Sequence, residues 1–370
     1  MEIVILLLRL VAVIVGIGIV FITLISAIRT FVLPRSAPDQ IVRSVFLLMR
    51  WLFNQRMRKS TTYEQRDEIM ALYAPITLMI LPVIWLIIVV FGYMCIFWGF
   101  HPILLHDTLL LSESGLLTLG LVPVDSLFTA SMVFGEATVG LLLTAILIAY
   151  LPTMYAAFSA RETLVTMLEV RAGSPPAPVT LFERYLRIRG LSDLHNLWVE
   201  WEMWFAQLEE THTSLAALSF FRSQSPNRSW ITAAGAVMDS AALAIAVIDI
   251  PDDYQAALTI RSGYLALRAI ADFFGIPHNA TPKPDDPISI FREEFDELCD
   301  ELAAANVPLK ADRDQAWRDF SGWRVNYDTV LISLAALTMA PYARWISDRS
   351  LRRQKTRLFI SKHAKPNKSA

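Results

Sequence analysis

Apolar residues form three long runs within the first 155 positions of the chain. They cover residues 3–28, 74–100 and 126–155, and the only charged side chain in the first run is Arg9. A helix needs about 20 predominantly apolar residues to cross the ~30 Å hydrocarbon core of a bilayer. The pattern therefore predicts three transmembrane helices. The first run lacks the basic start and the small-residue cleavage site of a signal peptide, so we expect it to be retained.

The second half of the chain shows apolar positions at helical spacing and no strand-like alternation. Proline-containing breaks separate the helical patterns, which cover residues 191–221, 229–248, 252–274, 287–305 and 311–345. We therefore predict an all-α membrane protein in which residues 181–346 form a helical bundle. The most apolar stretch, 330–343, contains Pro341 and is too short to span a bilayer, so we expect a buried core helix there.

Composition and charge give the expected topology. Hydrophobic residues make up 54% of the chain and charged residues 18%, against about 25% charged in soluble domains. The segment between the first and second runs is basic, whereas the segment between the second and third contains no Lys or Arg. By the positive-inside rule we expect a multi-pass protein of the cell (inner) membrane, with its N-terminus outside and its C-terminal domain cytoplasmic. The basic residues of the first segment are Arg29, Arg35, Arg43, Arg50, Arg56, Arg58, Lys59 and Arg66.

Three further regions lie outside the predicted spans and the predicted bundle. Within the basic loop 29–73, residues 42–53 are apolar with arginines at roughly helical spacing. They predict either an interfacial helix against anionic lipid or a helix packed on the cytoplasmic domain. A Pro-rich linker is expected within 163–180. The basic tail, 347–370, is either a segment that touches anionic lipid or plain disorder.

The segment between the second and third runs is the most informative part of the chain. Residues 103–111 are apolar but too short to span, and a polar turn follows them. A short helix that enters the membrane and returns as extended chain is a re-entrant loop, which requires burial in protein or a watery cavity. The turn and its continuation contain Ser112, Glu113, Ser114, Gly115, Leu116, Leu117, Thr118, Leu119, Gly120, Leu121, Val122, Pro123, Val124 and Asp125.

This turn resembles the pore loop of the bacterial two-helix potassium channels, which reads roughly S-x-S-x-x-T-T-L-G-Y-G-D. The residues that match the pattern in order are Ser112, Ser114, Thr118, Leu119 and Gly120, and Asp125 stands for the closing Asp, displaced by three residues. The resemblance covers residues 74–162 and implies a homotetramer around a pore. It also implies that the third run lines this pore through Gly135, Glu136 and Gly140, and that Ser112, Glu113 and Ser114 support the pore helix. The filter residues that it implies are Thr118, Leu119, Gly120, Leu121, Val122 and Asp125. The first run, 1–28, is then an addition to the two-helix unit.

The chain departs from this family where the second filter glycine would stand. A potassium filter replaces the hydration shell of the ion with rings of backbone carbonyls, and its glycines adopt left-handed angles. Here Leu121-Val122-Pro123 follows Gly120, and valine resists positive φ whereas proline fixes φ near −65°. We therefore expect a cation-permeable pore that is not conventionally potassium-selective. The alternative is a non-conducting, membrane-anchored sensor or scaffold that acts through its cytoplasmic domain.

Two carboxylates of this region have two interpretations each. Glu113, like Asp125, is a candidate source of cation-attracting charge at the pore. In the other interpretation Glu113 lies behind the pore helix and bonds to the backbone. Glu136 is an ionisable group near membrane depth, where such groups are usually functional, or it simply faces water.

The rest of the chain offers little chemistry. Glu209 and His212 form one Glu-x-x-His pair, which lacks the second pair that di-metal bundles use, so we expect both at the surface. Trp198, Trp201 and Phe205 share a helix face that predicts core packing or an aromatic subunit contact. We predict no catalytic residue, no cofactor, no metal site and no nucleic-acid binding. The expected partners are the lipid bilayer, further copies of the chain and monovalent cations.

Overall fold

The computed structural model describes residues 2–31, 39–58, 60, 62–100, 104–124, 126–251 and 253–349. Apart from an isolated antiparallel bridge between Ile248 and Leu309, these residues form helices, turns and loops. Their α-helices are α1 Glu2–Phe31, α2 Gln40–Met57, α3 Tyr63–Ala71, α4 Tyr73–Phe100, α5 Leu105–Leu116, α6 Leu127–Ala172, α7 Pro178–Ile188, α8 Leu194–Ser214, α9 Trp230–Ala246, α10 Tyr254–Phe274, α11 Arg292–Ala304, α12 Arg313–Arg324 and α13 Asp328–Thr338.

Three of the helical stretches are long and apolar enough to cross a membrane, which confirms the three predicted spans at that level. They are α1, the stretch containing α4, and α6. The 46-residue α6 is about 69 Å long at 1.5 Å per residue, more than twice the hydrocarbon thickness of a bilayer. The mid-helix Pro82 and Pro152 leave α4 and α6 continuous.

The chain divides into two compact units. The first consists of Met1–Arg58 and Leu72–Ala156, and the second of Lys59–Ala71 and Ala157–Ala370. Residues 72–156 of the first unit are therefore flanked in sequence by α3 and by the last part of α6, which both belong to the second unit. α3 lies within the predicted loop 29–73. The sequence did not predict a helix at these residues, because they are polar and have almost no amphipathic pattern.

In the first unit, α1 and α4 pack antiparallel through glycines. A Cβ atom at Gly16 would collide with the carbonyl oxygen of Gly92, and one at Gly92 would lie 2.7 Å from Val20. Near the other end of the pair, a Cβ at Gly99 would lie 2.8 Å from the carbonyl oxygen of Arg9. Small residues of this kind let helix backbones approach closely in a membrane.

Hydrogen bonds join polar groups near both ends of this helix pair. Arg9 donates to the carbonyl oxygens of Gly99 and Phe100 at 2.9 and 2.7 Å, where α4 ends and its carbonyls have no helical partner. Near the other end, Trp85 donates to the hydroxyl of Ser26 at 3.1 Å, and Ser26 donates to Asp39. The lone charge in the first apolar run thus serves as a cap for the neighbouring helix.

Helix α2 covers the predicted 42–53 segment and packs within the first unit, against α1 and α4. Asp39 caps its N-terminus by accepting hydrogen bonds from Ile41 and Val42. Its buried face contains Phe46, whose carbonyl oxygen accepts a 3.1 Å bond from the hydroxyl of Tyr73. Lipid contact of the opposite face stays a prediction.

The second unit is built around α9, in which almost every residue is buried. Trp198, Trp201, Trp204 and Phe205 of α8 are each at most 2% exposed within the single chain, which confirms the core-packing interpretation of this aromatic face. Gly263 of α10 lies directly against Phe205, where a Cβ atom would come within 3.1 Å of the ring. The helices of this unit are therefore packed around a large aromatic core.

The stretch predicted as one helix over 311–345 is broken into α12 and α13 by a buried ionic cluster. Arg324, the last residue of α12, pairs with Asp328 at 2.8 Å and with Asp239 of α9 at 2.5 Å. Tyr327, in the break itself, donates to Asp239 at 2.9 Å. Burial raises the pKa of Asp239, and the neighbouring Arg324 opposes that rise.

Two further boundaries differ from the predictions. α6 continues to Ala172 and α7 begins at Pro178, so the break expected over 163–180 is confined to residues 173–177. The helix within 330–343 is buried as predicted but ends at Thr338, since Met339 adopts a left-handed conformation with φ 53°. Residues 350–370 of the basic tail lie outside the described residues.

Replacing Gly16 by Leu should separate α1 from α4, because its side chain would meet the backbone of Gly92. We expect a loss of about 1–3 kcal/mol, the usual cost of overpacking, measured as a lower unfolding midpoint of the detergent-solubilised protein. Gly18→Leu is the matched control, because a Cβ at Gly18 has no atom within 4 Å. Equal midpoints for the two variants would contradict this packing.

Candidate functional site

The predicted pore-loop segment begins with α5, a 12-residue helix. Its buried residues include Thr108, Leu111, Ser112 and Gly115, which follow helical spacing, and this face packs on α4. Twelve residues rise about 18 Å, which is too short to cross a bilayer. The short helix expected from residues 103–111 is present and extends further, through the polar turn to Leu116.

Helix α5 also lies against α6, through glycine on both sides. A Cβ at Gly140 would lie 2.7 Å from the carbonyl oxygen of Leu116, the last residue of α5. A Cβ at Gly115 would lie 3.0 Å from a carboxylate oxygen of Glu136. The contact therefore fixes the C-terminal end of α5 against one turn of α6.

Ser112 connects three elements at this contact. Its hydroxyl is hydrogen-bonded to a carboxylate oxygen of Glu136 on α6 and lies 3.2 Å from the carbonyl oxygen of Val90 on α4. Glu136 is completely buried, and its second oxygen, Oε2, has no hydrogen-bond partner among the described residues. Buried carboxylates in membrane segments are costly, so this arrangement marks Glu136 as a functional candidate.

In α6, the third predicted span, the predicted pore-lining residues Gly135, Glu136 and Gly140 are buried or half-buried in the single chain. Glu136 and Gly140 are buried against α5, so neither lines a cavity within the single chain, and Glu136 does not face water. Gly135 is half-buried near the hydroxyl of Tyr93. The exposed stripe of α6 instead contains Ser131, Phe134, Thr138, Leu141, Ala145 and Ile148.

After Leu117 the chain leaves the helix with two left-handed residues, Thr118 at φ 55° and Gly120 at φ 65°. Glycine adopts this conformation readily, whereas a β-branched threonine does so only at a cost. Such a strained residue is typical of functional loops. The predicted filter residues Thr118, Leu119, Gly120 and Leu121 are consecutive and exposed, and Val122 is half-buried.

Ser114 holds this loop in place. Its hydroxyl accepts a 2.8 Å hydrogen bond from the amide of Leu121, and its carbonyl oxygen accepts a 2.9 Å bond from the amide of Leu119. Ser112 and Ser114 thus both have supporting contacts, as their predicted role requires. Glu113 is exposed, on the other side of the helix, and Asp125 lies outside the described residues.

Comparison with family models, with curated proteins and with solved structures gives no match for this chain. The resemblance to the two-helix channels therefore stays a prediction that depends on the residues from Ser112 to Gly120.

The second unit contains a cavity of about 550 Å³ that the sequence did not indicate. Buried Leu194, Trp198 and Ala244 line it, together with a polar pair. In that pair His195 Nδ1 lies 3.1 Å from Asp253. The volume is within the range of small-molecule sites. No local motif marks it, because the paired residues are 58 positions apart.

The Glu-x-x-His pair of α8 does not form a shared site. Glu209 is exposed, whereas His212 is completely buried and its Nε2 lies 3.2 Å from Arg161, so the expected surface position is wrong for His212. Burial and the neighbouring guanidinium lower the pKa of His212 well below its usual range. Within the described part of the chain, no group of three His, Cys, Asp or Glu residues is arranged to hold a metal.

Replacing Gly140 by Ala should displace α5, because the new methyl group would overlap the carbonyl oxygen of Leu116. We expect a loss of about 1–3 kcal/mol and faster amide exchange in α5, measured by thermal unfolding and by hydrogen–deuterium exchange. Gly135→Ala is the control, because its Cβ would make an ordinary 3.6 Å contact. Unchanged exchange in α5 for Gly140→Ala would refute the contact.

Proposed function

We propose that this chain forms a homotetrameric, cation-permeable channel in the cell (inner) membrane, with residues 104–124 as its re-entrant pore loop. The observation that carries the proposal is the position of α5. It is a short helix packed on α4 and α6, and it continues into a strained, exposed loop that Ser114 supports.

The division of the chain supports a loop that enters and leaves on one side. α3 and the last part of α6 belong to one compact unit, and we propose that this unit lies on one side of the membrane. The chain between them must then cross the bilayer an even number of times. α4 and α6 supply two crossings, and α5 is too short to add one. The positive-inside rule assigns the second unit to the cytoplasm and the N-terminus to the outside.

Several copies of the chain would complete the pore. In a single chain residues 118–121 are exposed, and non-helical backbone at membrane depth requires protein or water around it. Four loops around one axis would supply both, with the threonine hydroxyls and the carbonyls of Leu119 and Gly120 directed toward the ions. Among the described loop residues, positive φ occurs at Thr118 and Gly120. Val122, which stands where the second glycine of G-Y-G would be, is not among these residues, so we propose weak selectivity among monovalent cations.

A second candidate function is a non-conducting sensor or scaffold anchored in the membrane. The cavity lined by Trp198 and the His195–Asp253 pair favours it, because a small-molecule site in the second unit is what a sensor requires. A measurement of ion flux distinguishes the two candidate functions, because only the channel would conduct ions.

Purified protein in liposomes should carry potassium and sodium but not chloride. We expect Gly120→Asp to lower cation flux by at least about tenfold, since a side chain at this left-handed position strains the loop and four added carboxylates retain cations. Gly190→Asp is the matched control, because Gly190 also has positive φ (82°) but lies in the second unit. Absence of flux at every voltage and gradient, from protein that remains folded, would favour the sensor.

Replacing Leu121 by Tyr together with Val122 by Gly should raise the selectivity for potassium over sodium. The substitution restores the second glycine that a carbonyl filter uses, provided that the four loops already surround an axis. The reversal potential under opposed potassium and sodium gradients measures the change. The single replacement Leu121→Tyr is the control, and a reversal potential identical in all three proteins would argue against filter geometry.

A further inference from the structure

The second unit contains α3 and the last part of α6, which flank the proposed channel module in sequence. Both are attached to one short segment of this unit. This junction segment, residues 218–222, follows α8 and contains part of a 3₁₀-helix. Leu218 and Phe220 are buried, and Phe220 packs on Phe274 of α10 with ring centroids 5.5 Å apart. The carbonyl oxygen of Ser219 accepts a 3.2 Å bond from Trp230 of α9. The segment is thus anchored in the core of the unit.

Arg161 attaches α6 to the junction segment. Its guanidinium donates to the carbonyl oxygens of Leu218 and Phe221 at 2.8 and 2.9 Å. The side chain is 3% exposed, and it also contacts Glu162, the ring of His212 and the ring of Phe158. A buried arginine with this many acceptors fixes the orientation of the helix that carries it.

Arg222 attaches α3 to the same segment. It pairs with Asp67 of α3 at 2.7 Å and lies 3.3 Å from the hydroxyl of Tyr63. The same guanidinium donates to the carbonyl oxygens of Thr338 and Met339 at 2.7 and 2.9 Å, where α13 ends. One side chain therefore joins the junction segment, the end of α13 and α3.

Helix α3 is short and has few buried residues. It has nine residues, and helices of that length are marginal unless tertiary contacts support them. Its buried residues are Asp67 and Met70, so it offers little apolar surface for docking. After Leu72 the chain continues directly into α4.

We infer that Arg222 is a positioning residue. It attaches α3, which leads into α4, to the junction segment, and Arg161 attaches the C-terminal part of α6 to the same segment. The consequence for ion flow depends on the proposed channel function. Any change in the second unit that moves the junction segment would then alter the separation of the two spans that flank the pore loop.

Amide exchange in the full-length protein in lipid nanodiscs tests the attachment without reference to conduction. Arg222→Gln and Asp67→Asn should each accelerate exchange in residues 63–71 by at least about tenfold, since each removes one partner of the pair. The double variant should add little to either single one, as expected for residues that act as a unit. Arg222→Lys should be intermediate, because an ammonium cannot reproduce the fork that reaches both Asp67 and two carbonyls.

Arg228→Gln is the matched control. Arg228 also pairs with a carboxylate, Glu169, but this residue lies on α6, so exchange in α3 should stay unchanged. Exchange in α9 should be the same in all variants, which separates local release from unfolding. If Arg222→Gln unfolds the second unit, amide exchange in residues 63–71 of Asp67→Asn and Arg222→Lys tests the inference instead. Unaltered exchange in residues 63–71 of the folded variants would overturn the inference.

Flux in liposomes tests the consequence. If the wild-type protein conducts, Arg222→Gln should change the flux by at least about threefold and Arg228→Gln should not. Faster exchange in α3 with unchanged flux would overturn the positioning role in the pore. If the wild-type protein does not conduct, the channel proposal has failed, and the exchange result alone decides whether Arg222 positions α3 and α4.

Discussion

The chain from residue 72 to residue 156 leaves and rejoins the same compact unit, and the arrangement of the membrane part depends on this constraint. In the proposed topology both ends of this chain lie on one side of the bilayer, and α4 and α6 form a pair of crossings. The polypeptide between them then turns around without spanning. α5 and its loop satisfy that requirement, because a 12-residue helix is too short to cross and Ser114 supports the backbone that follows it.

Close backbone contact, rather than apolar bulk, defines the packing within the first unit. Lipid tails are as apolar as leucine, so helices in a bilayer associate through van der Waals contact and hydrogen bonds. Gly16 and Gly92 bring α1 onto α4, and Gly140 brings α6 onto the end of α5. Hydrogen bonds from Arg9 and Ser112 then satisfy carbonyl oxygens at the end of α4 and one carboxylate oxygen of the buried Glu136. The loop after α5 therefore begins where α5 is closely packed against α4 and α6.

Arginines play the corresponding part in the second unit. The buried Arg161 and Arg324 and the half-buried Arg222 each join two or more elements by donating to carbonyl oxygens and pairing with carboxylates. Removing one partner of such a cluster leaves a buried charge, at a cost of about 3–5 kcal/mol. These contacts therefore specify one arrangement of the helices more strictly than an aromatic core alone would. For the proposed channel, that specificity links the second unit to both spans beside the pore loop.

The sequence by itself determined the three spans, the short helix before the loop and the aromatic core face of α8, because these follow from the length and periodicity of apolar residues. It also indicated Ser112 and Ser114 as supporting residues. Only the tertiary structure decided that Glu136 is buried against Ser112 and that Asp67 meets Arg222, a residue 155 positions away. A helical pattern shows which residues share a face, but the partner of that face depends on how distant segments pack.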